Sequence, residues 1–270
     1  MPLPFITAPG PGTNLWPVTN LAGTSYALTT GGGFSLDAFM AAQADGFYFN
    51  TDVTSSTWQD ISATVPADDI GEAIGRINDL RAGAGSPHNG LQSTDPRRPA
   101  LQATGAKFDG LDDNWPTDYT AGAGENFIVS LVTVPATLSG TQFIAGATGA
   151  SLANAFLLGI TSTGKVGVGV GSKLPATQEG TSDIRGQTVV VGMSFDGSTV
   201  KVFVDDSEEF FGAQSGTPTT SIPLRVGAFN NNGTAGNFFA GSIDKSVVAQ
   251  GPGAFLSLST YLKIRNALLA

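Results

Sequence analysis

Gln187-Thr188-Val189-Val190-Val191-Gly192-Met193-Ser194-Phe195, then Asp196-Gly197-Ser198, then Thr199-Val200-Lys201-Val202-Phe203-Val204-Asp205, reads as two strands and a turn. β-Branched and aromatic residues crowd both arms, and such side chains suit a pleated, half-buried surface. Between them, Gly197 takes positive φ without steric cost and Asp196 can bond its own backbone. Side chains alternate along a strand, so Val200, Val202 and Val204 share one face.

The same texture extends outward from this hairpin. Asn126–Val134 (NFIVSLVTV) is a strand ended by Pro135. Gln142–Ala147, Ala155–Thr161 and Lys165–Val170 follow, the last two joined through Ser162-Thr163-Gly164, and Pro223–Phe229 and Phe238–Val248 complete the set. Short strands at about 8–12-residue spacing predict a sandwich or barrel. Helices are expected at 34–44 with Ser35 as N-cap, at 71–80 with Ile74, Ile77 and Leu80 on one face, and at 260–269 with Tyr261, Leu262, Ile264 and Leu268. The run 82–90 is loop chemistry. The expected fold is an all-β antiparallel sandwich over 41–270 with short helices, preceded by an N-terminal arm and short helix over 1–40.

The chain has 270 residues, 41% apolar and 13% charged, with 36 Gly and a formal net charge of −9. Charged side chains reach about a quarter of residues in typical domains, so this surface is sparsely charged and suits packing against sister subunits as a homo-oligomer. An acidic chain cannot neutralise phosphates, which argues against nucleic acid as a partner. With no cysteine, disulfides and thiolate metal sites are excluded. No run approaches the ~20 apolar residues of a membrane span, and Met1-Pro2-Leu3-Pro4 lacks the basic and apolar regions of a signal peptide, so synthesis in a cytoplasm without export is expected. Residues 1–33 hold no charged side chain but include Phe5, Trp16 and Tyr26 among five prolines. That composition reads as an extended arm docking on a partner through these aromatics.

Five landmarks in fixed order, over 45–113, resemble the laminin-G-like, concanavalin A-like domains of bacteriophage and prophage proteins. They are Asp45-Gly46-Phe47-Tyr48-Phe49-Asn50, Trp58-Gln59-Asp60, Gly71-Glu72-Ala73-Ile74-Gly75-Arg76-Ile77-Asn78-Asp79-Leu80, His88-Asn89-Gly90-Leu91-Gln92, and Pro96-Arg97-Arg98-Pro99-Ala100-Leu101 running to Ala106-Lys107-Phe108-Asp109-Gly110-Leu111-Asp112-Asp113. The resemblance implies a jelly-roll sandwich closed by a C-terminal helix. It also implies a virion location: a non-enzymatic head decoration, spike, tail or fibre component that docks other virion proteins through its arm and adheres to host surface glycans. The alternative is a cellular carbohydrate-binding module or adhesin, and a polysaccharide-cleaving enzyme is a third reading.

Catalytic signatures are missing. The Glu-x-Asp-x-x-Glu strand of glucanases with this fold does not occur; Glu125, Glu179, Glu208 and Glu209 read as loop or turn residues, the last two in an acidic hairpin tip. His88 is the one histidine, expected to bond backbone through its ring, and no Gly-x-Ser-x-Gly elbow is present. Gly167-x-Gly169-x-Gly171 sits in a hairpin and is no nucleotide loop. Asp109, Asp112 and Asp113 put three carboxylates in five residues. They read as acceptors of backbone N–H groups paired with Arg97 or Arg98, calcium being the alternative; otherwise no cofactor is expected. For a glycan, exposed aromatics beside polar groups are needed: Trp58, Trp115 and Tyr119, with Asn231 in its polar loop, are the candidates, core packing being the competing reading of Trp58 and Trp115.

Overall fold

A computed structural model describes residues 15–19, 25–29, 34–81, 86–150, 154–171, 178–214, 216–218 and 221–270. It divides into a unit over Met1–Ser35 and a larger one over Leu36–Ala270. In the first, Leu15–Thr19 and Ser25–Thr29 pair antiparallel; the rest of the expected arm lies outside the described residues. Phe5 lies outside the described residues, as do the side chains of Trp16 and Tyr26.

The larger unit is the expected all-β sandwich. One sheet runs, in spatial order, Ser207–Ala213, Thr199–Val204, Thr188–Phe195, Asn126–Thr133, Ser242–Gln250, Gly105–Lys107 and Ala100–Gln102, with Asp45–Asn50 also paired to Ser242–Gln250. The facing sheet runs Val166–Gly171, Ala155–Ile160, Gln142–Thr148, Arg225–Val226 and Trp115–Pro116, with Phe229–Asn231 also paired to Gln142–Thr148 and Thr234–Gly236 paired to Phe229–Asn231. A small third sheet joins Thr57–Trp58, Arg76–Ile77 and Gly90–Leu91. Val200, Val202 and Val204 do share the core face, in one buried cluster with Val166, Val168, Val170 and Phe156.

Asn126–Thr133 is apolar on both faces because both are covered. Ile128 and Val132 enter the sandwich core. On the other side of this sheet the C-terminal helix Leu258–Leu268, capped by Ser257 accepting from the Thr260 N–H, lays Tyr261 on Phe203 at 4.5 Å between ring centroids. The Tyr261 hydroxyl donates to the Val190 carbonyl at 2.9 Å, which fixes the helix on the sheet. The short helix Leu36–Ala41 contributes Phe39, 5.9 Å from Phe127.

Four expectations are corrected. Residues 71–80 form no helix: the N–H groups of Gly71, Ile74 and Gly75 bond the carbonyls of Leu101, Pro99 and Trp58, and Arg76–Ile77 is a strand. A Cβ at Gly75 would lie 2.4 Å from the Gln59 carbonyl oxygen, and a short helix cannot outcompete such tertiary partners. Pro223–Phe229 is two short strands broken at Gly227, whose φ of +82° turns the chain where a Cβ would meet the Phe108 ring at 2.2 Å. Phe238–Val248 begins its pairing only at Ser242 and runs to Gln250. Glu208 and Glu209 stand on the edge strand Ser207–Ala213, the tip itself being Asp205-Asp206.

Candidate ligand-binding cleft

Asp79 ties down described residues that follow it in the chain, 81 and 88–89. Asp79 Oδ1 accepts from the N–H groups of Tyr48 and Arg81, both at 2.9 Å, and its Oδ2 accepts from the His88 N–H at 3.1 Å. Asn89 Oδ1 accepts from the Asp79 N–H at 2.9 Å, leaving the Asn89 amide nitrogen as a donor. His88 is the centre of this hub. Its Nε2 lies 2.8 Å from Asp45 Oδ1 and its Nδ1 2.7 Å from Asp118 Oδ1. Arg81 Nη2 joins Asp45 at 3.3 Å. The ring therefore bonds two carboxylates rather than backbone, against the sequence expectation. Burial alone would lower its pKa, but the bonds and charges of Asp118 and Asp45 outweigh that and raise it above 6.5.

Beside the hub is a cleft of about 270 Å³ lined by Pro87, Asn89, Leu91, Pro116, Thr117 and Asp118. Leu91 is 41% exposed, a large apolar side chain left in solvent at the cleft. With Pro87 and Pro116 it supplies an apolar ledge, while Asn89, Thr117 and Asp118 supply polar groups. Thr117 is held by donating its hydroxyl to the Leu224 carbonyl at 2.8 Å. Asp118 is the one carboxylate among the lining residues.

The glycan candidates read from sequence do not converge here. Trp115 and Tyr119 are corrected to core residues, 1% and 0% exposed. Trp115 packs edge-on to Phe108 at 5.2 Å and Phe49 at 6.3 Å and donates Nε1–H to the Ile74 carbonyl at 3.0 Å. Tyr119 stands against Phe47 at 5.6 Å and the His88 ring at 5.4 Å, its phenol pKa driven up chiefly by burial. Neither ring face is open to a ligand. Trp58 is half-buried in the small sheet, its indole N–H buried without a partner among the described residues. Asn231 is exposed on Phe229–Asn231, next to Asn230, which spends its amide on the Pro223 carbonyl and the Gly233 N–H. Sequence reading missed Pro87, Leu91, Pro116 and Asp118; a lone Leu between Gly90 and Gln92 at a loop end was the available signal.

The acidic loop is self-satisfied. Asp109 Oδ1 accepts from the N–H groups of Leu111 at 2.7 Å and Asp112 at 3.3 Å, and Asp113 Oδ2 accepts from the Asp109 N–H at 2.8 Å. Arg97 pairs with Asp112 at 3.7 Å, whereas Arg98 pairs with Asp95. The three carboxylates reach within 4.8 Å of one another, a spacing a calcium ion could also bridge.

No protein-family model matches the chain, and no curated protein does. Among solved structures, a Trypanosoma rangeli sialidase complex is similar at a TM-score of 0.50 and 12% identity, over 95% of this chain and 37% of that one. The CBM40 of a Ruminococcus gnavus sialidase, bound to α2,6-sialyllactose, is similar at 0.42 and 19%, over 56% of this chain and 85% of that one. The Streptococcus pneumoniae NanB sialidase is similar at 0.37 and 21%, over 52% of this chain and 25% of that one. The chain thus spans about a third and a quarter of the two sialidases' lengths. At 12% identity the likeness to the Trypanosoma rangeli enzyme is one of fold alone.

Proposed function

We propose that this chain is a non-catalytic carbohydrate-binding β-sandwich of the adhesin type, with the cleft between 87–91 and 116–118 as its sugar site. The observation that supports it is the ledge of Leu91, Pro87 and Pro116 beside Asn89, Thr117 and Asp118. A sugar ring has an apolar C–H face and a hydroxyl edge, and a concave site with few placed polar groups suits both. Glycoside cleavage asks for a second acid across the bond, and Asp118 stands alone among the lining residues. The test is a glycan array probed with the full chain and with Leu91→Ser. Retention of a defined glycan set by the wild type, lost in the variant at unchanged melting temperature, is expected. No retention, unaltered retention by the variant, or release of reducing sugar would overturn the reading.

A virion adhesin is a second reading, favoured by the ordered resemblance over 45–113. It rests on that resemblance, and mass spectrometry of purified particles from a producing host decides it.

A further inference from the structure

Resting on the cleft reading above, we infer that His88 is a positioning residue whose positive charge fixes the Asp118 carboxylate at the cleft, so that ligand affinity falls as the pH rises through the ring's titration. His88 lies on one wall, between Pro87 and Asn89, and Asp118 lies on the other. Among the described residues, the charged groups bonded to the ring are Asp45 on Asp45–Asn50 and Asp118 across the cleft; Tyr119 stands 5.4 Å from it, Arg81 reaches it only through Asp45, and Asp79 bonds the His88 backbone N–H. Two carboxylates bond the ring directly, so the surroundings favour imidazolium.

The geometry makes the charge necessary. A carboxylate only accepts, and a neutral imidazole has one N–H. With Nδ1 at 2.7 Å and Nε2 at 2.8 Å from carboxylate oxygens, a neutral ring must set a lone pair against one of them. One contact then breaks. Asp45 keeps Arg81 and the Gly46 N–H, which it accepts at 2.9 Å. The Asp118 side chain is 73% exposed, and His88 is its one bonded partner among the described residues. Asp118 is therefore the contact that releases: its side chain turns away while the backbone of its wall stays, Pro116 paired with Arg225 and the Thr117 N–H on the Leu224 carbonyl at 3.1 Å. A group whose pKa is raised in the closed state supports that state fully below the open-state value, about 6.5, and loses that support as the pH rises through the raised value.

His88 is the sole histidine, so its ring resonances need no assignment. The experiment follows by NMR the ring and the rotamer averaging of the Asp118 side chain, read from its Hα–Hβ couplings, from about pH 5.5 to about pH 9. The ring should titrate above 6.5, and the Asp118 couplings should pass from those of one rotamer to averaged values across that titration, with the backbone shifts of Asn126–Thr133 unchanged. Asp118→Asn, at an exposed position, should lower the ring's midpoint and reduce the pH dependence of glycan retention. Glycan retention on the array should drop between about pH 6 and about pH 8.5. A ring that titrates below 6.5, Asp118 couplings that ignore its titration, or a glycan retained equally at both pH values overturns the inference. If ring and couplings behave as stated and no glycan binds at either pH, the latch stands and the carbohydrate reading alone falls.

Discussion

Replacing Asp113 by Asn should stabilise this protein at neutral pH. Asp113 is 5% exposed, and its carboxyl titrates at about 6 instead of 3.8. Burial is the main cause; the Asp109 N–H at 2.8 Å opposes it, and the charges of Asp109 and Asp112 add to it. An acid whose pKa is raised on folding penalises the fold when ionised. Stability is therefore at its fullest below the unfolded value, falls as the pH rises through about 6, and levels above it. A shift of about two units at ~1.36 kcal/mol each gives about 3 kcal/mol, and partial hydration of the loop reduces this to about 1–2 kcal/mol. The side-chain amide of the Asp113→Asn variant keeps an oxygen for the Asp109 N–H and cannot ionise. Urea denaturation in chelator should show the variant more stable by about 1–2 kcal/mol at about pH 7.5 and level with the wild type near pH 3. A variant less stable than the wild type at the higher pH, in chelator, refutes the reasoning. Calcium would invert the order: added metal would then raise the wild type and leave the variant where it was, and the loop would be a metal site.

Trp115→Ala should cost about 3–5 kcal/mol in the same denaturation assay, the cost of emptying a core site, and a loss much below that would return Trp115 to the surface. Gly227→Ala should cost at least about 2 kcal/mol, since the new Cβ meets Phe108 in a backbone conformation that L residues resist; a neutral effect by thermal melting would mean the turn relaxes freely.

Local pattern carried the class of this fold. The runs 126–134, 142–147, 155–161 and 187–205 have β-branched density, alternation and turn residues that act within a few positions, so their strands and the hairpin at Asp196-Gly197-Ser198 were legible in the amino-acid order alone. The C-terminal helix was legible for the same reason, though not its start at Leu258 or its Ser257 cap. What the tertiary structure alone decided is everything that depends on partners distant in sequence. Ile74 and Ile77 look helical at 71–80, yet they are core residues of a strand region whose hydrogen bonds go to Trp58, Pro99 and Leu101. Trp115 and Tyr119 carry no local mark that separates a binding ring from a core ring; the packing of Phe47, Phe49 and Phe108 around them does. The cleft and its latch join residues 45, 81, 87–91 and 116–118, drawn together only because strands of all three sheets meet there, and no pattern within one segment records that meeting.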